Sequence, residues 1–562
     1  MQDNTTYEVV KVSYRAVGVE VVIGEGVYDL LNNITFQSAW DNLLESCAWS
    51  TVFQSRSFVS TWYNVYQNEY LPILVKNENE GELIGLLAMA LPLSALRECD
   101  TKTAKGRIVG AGQYEAEYQT WLALESNGES FIQDALSAMR KQFPLCEIQL
   151  RYLPPNTPIG WAMGESKWVK RVVLQPSRRP LMDMGMPDFS KLFKKSEYRN
   201  KLNRLKKLGL LHFERITDFE TFSAILPELT VQYDFRQGAM FNKNQFRENS
   251  SKQKFLLELF EQDLLHVSVL RAGNELLASI VAIAGKKWVH LGGINIHSPF
   301  NAHYYSPGFV NFLMLGQQLA QEGYAVFDLT PGGDAYKERM ATRHDHVYEL
   351  VVTSSFTSHF KRRLKKHIHD RMVKTGVRPM SVELSLRKKK YLLKERLKAL
   401  KQPRDFLRFI NQLAGSSKKT PEKLLKISLN PATATSTLEV NANNLSDLLN
   451  YEPAIGCLTR WEFLEDAMRR FEVGETSYTW SLEGKLMACV WHSGGNDKTN
   501  NEQAATVLHS IYLHPFAQDR LGEFLLAVGR KASEDKQNID LYLLSSPSLI
   551  NMNNTLEEWK DS

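Results

Sequence analysis

The chain has 562 residues, 43% of them hydrophobic and 23% charged, which is the make-up of a globular protein with several cores and excludes a disordered or fibrous chain. Its net charge is a modest +5, and its five cysteines (Cys47, Cys99, Cys146, Cys457, Cys489) are widely spaced with no CxxC pair, which argues against a disulfide framework or a zinc ribbon. No uncharged apolar run approaches the ~20 residues of a membrane span, and residues 1–14 carry Asp3, Glu8 and Lys11 where a secretory leader needs an apolar stretch. A cytoplasmic protein without a transmembrane segment is expected.

Residues 17–23 alternate as a strand does, and 58–66 form an aromatic-rich helix. Strands are predicted at 71–76 and 83–93 over a turn at 77–81, then an amphipathic helix at 131–143 and a strand at 147–152. Pro154, Pro155 and Pro158 break the pattern and mark a lobe boundary. A basic helix follows at 189–208, with Tyr198, Leu202 and Leu205 as its apolar stripe, then a strand at 211–216 and a helix at 219–233. The clearest segment is a helix at 252–262, strands at 266–272, 276–284 and 288–295, a loop, a helix at 307–322 closed by Gly323, and a strand at 325–329. A basic helical tract spans 358–402, and 418–435 reads as a polar connector. The last 120 or so residues repeat the logic: helix 462–471, hairpin 477–482/487–492, polar insert 494–503, strand 505–513, turn 514–520, helix 521–534 and strand 539–544.

Several motifs stand out. They are the aromatic helix at 53–63, the turn Gly110-Ala111-Gly112-Gln113-Tyr114, the basic stretch Tyr198-Arg199-Asn200-Lys201-Leu202-Asn203-Arg204-Leu205, the helix opening Tyr305-Ser306-Pro307-Gly308, and the run from Phe327-Asp328 to Gly333-Asp334-Ala335-Tyr336-Lys337. Through these, residues 36–350 resemble the GNAT acetyltransferases of cellulose and exopolysaccharide biosynthesis, the BioF2-like or CelD-type group. That group is related to the FemAB aminoacyl transferases, which carry two GNAT halves. Here one residue fewer separates Asp334 from Tyr336 than in the family, and of the family's Arg-Trp and Arg-Gly pairs only Arg236 has a counterpart, in Asp234-Phe235-Arg236-Gln237-Gly238. The C-terminal copy is looser. His514-Pro515 and Gly522 fit the acyl-CoA loop, whereas Asp519 and Leu521 stand where glycine is wanted.

The resemblance implies an α/β (α+β) fold: tandem GNAT-like lobes, a FemAB-like double GNAT, plus a smaller degenerate C-terminal GNAT-like domain. The divisions expected are 1–185 for the N-terminal lobe, 186–357 for the BioF2-like lobe with the acyl-CoA site, 358–435 for a basic linker and 436–562 for the degenerate domain. Acyl transfer from a thioester needs a diphosphate anchor and proton management. Ser306 as N-cap, Pro307 at the first helical position, and Gly308 and Phe309 in the first turn offer unpaired N–H groups and the positive end of a helix dipole to a pyrophosphate. An ordinary capped helix has the same sequence. Asp334 can accept a proton from the attacking amine, Tyr336 can donate one to the leaving thiolate, and Lys337 can meet a phosphate or carboxylate. A glycine-rich turn with a helix-starting Asp and a core Tyr also fits these residues.

Tyr114, Arg199, Arg204 and Arg236 are the further substrate-binding candidates. The basic helix is either a solvated face or the wall of a cleft for a polyanionic acceptor, because Lys and Arg neutralise phosphate without reading a sequence. The histidines His290, His297, His303, His344 and His346 show no HExxH spacing, so no metal is expected, and a catalytic histidine among them is the lesser alternative. The reading is an acyltransferase using acetyl-CoA or another acyl-CoA. Its acceptor would be a small molecule or sugar nucleotide of surface polysaccharide synthesis, and other polysaccharide-synthesis proteins are possible partners. The alternatives are a FemAB-like transferase drawing on aminoacyl-tRNA, under which alone a nucleic acid is a partner, and a non-catalytic scaffold.

Overall fold

The computed structural model describes residues 12–16, 18–96, 100–164, 167–300, 302–399, 424–429, 437–453, 458–493, 506–532 and 539–544. Two compact units emerge: residues 1–226 with 249–295 and 308–381, and residues 227–248 with 296–307 and 382–562.

The first unit is built on one 14-stranded sheet. Its strands are β1 (Val12–Ala16), β2 (Val19–Ile23), β3 (Tyr70–Asn79), β4 (Glu82–Pro92), β5 (Arg107–Gly110), β6 (Leu122–Ala123), β7 (Glu147–Leu153), β8 (Val172–Asp183), β9 (Leu211–Ile216), β10 (Leu265–Ala272), β11 (Glu275–Ala284), β12 (Trp288–His297), β13 (Val326–Asp328) and β14 (Arg343–Val352). The order is β1-β2-β3-β4-β5-β7-β14-β8-β13-β12-β11-β10-β9, with β6 on β4. Each half contains one strand–helix–parallel strand crossover: β5, helix Gly128–Gln142 and β7, then β12, helix Pro307–Gln321 and β13. A parallel pair needs such a crossover to return the chain. Between the two pairs, β14 and β8 run antiparallel to each other and to their outer neighbours. On both sides of the β14–β8 pair the next two strands are therefore a parallel pair, with six strands in the path beyond β14 and five beyond β8. The chain enters the second half through β8 and comes back to the first through β14.

These two central strands are absent from the sequence-based elements, and the reason is visible in β8. Pro176 and Pro180 interrupt it, and proline is normally barred from a sheet interior because it lacks an N–H. Pro180 accepts from Leu329 N, so its backbone faces the β13 side, and by alternation so does that of Pro176. β13 pairs only with Leu181–Asp183, leaving no ladder at either proline to break. The opposite edge pairs with β14 from Arg343–Leu181 to Val352–Val172 without interruption.

Close packing fixes the helices on the sheet. A Cβ at Gly85 of β4 would lie 2.5 Å from the Phe131 ring, and one at Gly316 would lie 2.4 Å from Met182 Sδ of β8. The expected basic helix at 189–208 is two helices, Pro187–Lys194 and Ser196–Leu205, followed by a 3-10 turn. Lys195 between them is extended (ψ 135). Breaking there lets Leu192, Tyr198 and Leu205 all be buried. The basic tract is likewise two helices, Phe356–Lys374 and Pro379–Ala399, separated by Gly376 at φ 73 and by Pro379.

The second unit holds a six-stranded sheet of β15 (Leu424–Leu429), β16 (Asn441–Ala442), β17 (Thr476–Leu482), β18 (Lys485–Ser493), β19 (Thr506–Leu513) and β20 (Ile539–Leu544), in the order β15-β20-β19-β18-β17-β16. β15 falls inside the stretch expected to be a connector, and the polar insert at 494–503 lies outside the described residues. Helix Arg460–Glu472 starts in a capping box of Thr459 and Glu462, and Tyr451 stacks on Phe463 with ring centroids 3.9 Å apart. β19 and β20 run parallel, with helix Leu521–Ala532 between them, a third instance of the crossover. β12 and β19 also share a left-handed residue in mid-strand, Gly293 (φ 66) and Ser510 (φ 53). At the second, Arg470 donates to the Ser510 hydroxyl at 2.8 Å.

Candidate active site

The predicted donor and proton-transfer residues fall at two turns. Ser306 stands just ahead of helix Pro307–Gln321 with a left-handed backbone (φ 51), and its N–H closes the preceding short helix on Ala302 O. Gly308 and Phe309 lie in the first turn, both half-buried. Two cations flank the Phe309 ring: Lys201 Nζ is 4.4 Å and the Arg339 guanidinium 5.6 Å from its centroid. Glu197 tethers both, accepting from Lys201 at 2.9 Å and from Arg339 at 3.1 Å. The neighbouring Arg199 and Arg204 are exposed.

Asp334 follows β13. It accepts from Arg378 at 2.7 Å, while the same guanidinium donates to Gly332 O at 3.0 Å. Tyr336 packs its ring 5.6 Å from Phe312 of helix Pro307–Gln321. Lys337 points inward rather than out to a ligand. Its ammonium donates to Thr330 Oγ1 at 2.9 Å and lies 3.8 Å from Asp334. Burial holds that ammonium below the usual lysine range, against the pull of Asp334, Glu117 and Asp328.

Tyr114 is 71% exposed beside a pocket of about 310 Å³, where Arg151 lies 5.6 Å over its ring. Arg151 also pairs with Glu117 at 3.0 Å, and burial nevertheless raises the Glu117 carboxyl. Arg236 belongs to the second unit. Burial and, after it, the Arg236 charge push His297 down to about 3.

The strongest electrostatic cluster was not foreseen. Asp328, the last residue of β13, is fully buried. It accepts from His290 Nδ1 at 3.0 Å, from Arg179 Nη1 at 3.3 Å and from Thr330 N at 2.8 Å. Burial alone would raise its pKa, but the His290 hydrogen bond and the Arg179 charge outweigh that and hold it below the usual aspartate range. Arg179 is bound a second time, through two bonds of 2.7 and 2.6 Å to Asp345. The planar guanidinium fork suits this bidentate geometry, and Tyr118 and Trp288 cover it from 5.0 and 5.2 Å. The signal lay in the strand alternation: His290 is the third residue of β12, opposite Asp328 in the parallel register.

This cluster forms part of the wall of a cleft of about 1050 Å³. Trp49, Thr51 and Val52 line it from the first lobe, Trp288, His290 and Tyr324 from the second, and Arg179 and Asp345 from the central strands. The Trp288 and His290 rings stack at 6.1 Å with a 24° tilt. Asp328 occupies Nδ1, and among the described residues no hydrogen bond uses His290 Nε2.

Residues 193–338 match the family described as "Acetyltransferase (GNAT) domain". The chain carries a GNAT-type acetyltransferase domain. The match takes in the cationic helix, β12, the crossover helix, β13 and Lys337. No curated protein is matched by the sequence. Among solved structures, L-PGS from Bacillus licheniformis is 11% identical, covering 59% of this chain and 96% of that one at a TM-score of 0.37. FemX is 10% identical over 56% and 95% at 0.37. A tandem GNAT protein from the clavulanic acid biosynthesis pathway is 11% identical over 58% and 97% at 0.31. The fold is mixed α/β, with one strand–helix–parallel strand crossover in each half of the large sheet.

Proposed function

We propose that the first unit transfers an acyl group from acyl-CoA to an amine or hydroxyl of a small acceptor. The reading rests on one observation: within the matched GNAT domain, a buried aspartate fixes a histidine whose other ring nitrogen is left for a ligand in a cleft large enough for a sugar-sized molecule. The acyl-CoA diphosphate lies on the first turn of helix Pro307–Gln321, at Gly308 and Phe309, with Lys201 and Arg339 as its charge partners. The acceptor occupies the cleft. Its nucleophile attacks the thioester carbonyl and gives its proton to His290 Nε2 as the C–S bond breaks. Asp328 keeps the proton of the neutral ring on Nδ1, so that Nε2 presents its lone pair. Tyr336 gives its phenolic proton to the leaving thiolate, and the proton taken up by His290 restores it through water before the next turnover. Asp334, engaged by Arg378, orients the turn rather than serving as the base.

The resemblance to the polysaccharide-synthesis acetyltransferases points to an amino sugar or sugar nucleotide as acceptor. The test is CoA-thiol release from acetyl-CoA against a panel of amino sugars, sugar nucleotides and simple amines. Acceptor-dependent release is expected in the wild type, falling about 10²–10⁴-fold in His290→Ala. Acceptor-dependent release that is undiminished in His290→Ala would refute the assignment of the base.

A further inference from the structure

Helix Phe356–Lys374 follows β14 directly and takes no part in the proposed chemistry. One side is anchored. Ser358 and Arg362 both bond Glu147 of β7, and His359 is buried. At 100° per residue these three positions cover one arc of the helix. Phe356, Phe360, Leu364 and Ile368, stepped four apart, lie on the opposite arc. They are 79%, 62%, 50% and 48% exposed. Four large apolar side chains in a continuous exposed row mark an interaction surface, whereas single exposed apolar residues are ordinary.

The charge around the row is one-sided. The helix carries Lys361, Arg362, Arg363, Lys365, Lys366, Arg371 and Lys374 against a single acid, Asp370. Cations alone would suit a nucleic acid as well as a lipid headgroup. The apolar row distinguishes them, because a phosphate backbone gives four aliphatic and aromatic side chains nothing to bury against, while the interface of a bilayer does. Among the described residues no helix is long and apolar enough to cross a membrane.

We propose that helix Phe356–Lys374 docks the protein on an anionic membrane surface. Phe356, Phe360, Leu364 and Ile368 enter the headgroup–acyl boundary, and the flanking lysines and arginines meet lipid phosphates. The helix lies in the plane of the surface, with Glu147 and β7 behind it.

The test is co-sedimentation of the full chain with vesicles of phosphatidylcholine alone and of phosphatidylcholine with phosphatidylglycerol. The protein is expected to pellet with the anionic vesicles only, and less so as salt is raised. Phe360→Glu with Ile368→Glu, at exposed positions whose loss leaves the core intact, is expected to weaken partitioning about tenfold or more. Lys361→Glu with Arg363→Glu is expected to weaken it also, with circular dichroism unchanged in both variants. The proposal fails if the wild type stays in solution with anionic vesicles. It also fails if Phe360→Glu with Ile368→Glu pellets as the wild type does, or if transfer RNA is bound while anionic vesicles are not.

Discussion

Asp328→Asn perturbs the network at its centre. The carboxylate is wholly buried and has three partners, Arg179, His290 and Thr330. The asparagine oxygen can keep the Thr330 N–H, but the amide nitrogen then faces the Arg179 guanidinium and the His290 Nδ1–H, two donors against a donor. Removing one partner of a buried ion pair costs about 3–5 kcal/mol. Arg179 retains both bonds to Asp345, which places this change near the lower end, about 3 kcal/mol. Asp345→Asn serves as the comparison. Its side chain is 26% exposed, so water can replace what is lost, and about 1–2 kcal/mol is expected. Hydrogen–deuterium exchange on peptides of β8, β13 and β14 reads the local opening free energy without requiring both units to unfold together. The pH dependence adds a second signature. Because the folded-state pKa of Asp328 is depressed, its contribution is full above the ordinary aspartate value and is lost as pH falls through the lower folded value. Asp328→Asn should remove that acid-side decline. An Asp328→Asn loss below about 1 kcal/mol, or one no larger than that of Asp345→Asn, would refute the reasoning.

Three further outcomes are expected. Gly293→Ala places a Cβ 2.8 Å from the Val281 carbonyl oxygen at φ 66; a loss of about 1–3 kcal/mol should appear as faster exchange in β11 and β12 peptides. Lys337 releases its proton at lower pH in the folded chain than in the unfolded one, so between those two values the unfolded chain binds more protons and stability rises with pH, up to the ordinary lysine value of 10.5. Denaturation of Lys337→Met across alkaline pH should lack that rise, and an unchanged slope would contradict the inward-facing ammonium. Lys201→Glu with Arg339→Glu should weaken acetyl-CoA binding about tenfold or more in a chain that circular dichroism shows to be folded, because these two cations flank the Phe309 ring at the proposed diphosphate site.

Much of the fold was legible because its outer strands and helices carry their own periodicity. The predicted strands at 71–76 and 83–93 are Tyr70–Asn79 and Glu82–Pro92, and the one at 539–544 is Ile539–Leu544. The central strands were not legible. β8 carries two prolines that are harmless only because β13 is three residues long, and that is a fact about a neighbour distant in sequence. The break at Lys195 was hidden for a similar reason. The helical pattern runs through it, and only the burial of both Leu192 and Tyr198 explains the bend. At the site, the sequence drew attention to Asp334, Tyr336 and Lys337 because they are clustered in the chain. The Asp328–His290–Arg179–Asp345 group comes from four strands and is assembled only by the sheet, so no local motif announced it.

The central claim is that this chain binds acyl-CoA at the first turn of helix Pro307–Gln321. Calorimetric titration of the purified full chain with acetyl-CoA and CoA, repeated on Gly308→Trp, tests it most directly. Saturable binding by the wild type that is lost in a folded Gly308→Trp is the expected result. A wild type that is folded by circular dichroism and yet binds neither acetyl-CoA nor CoA would contradict the account.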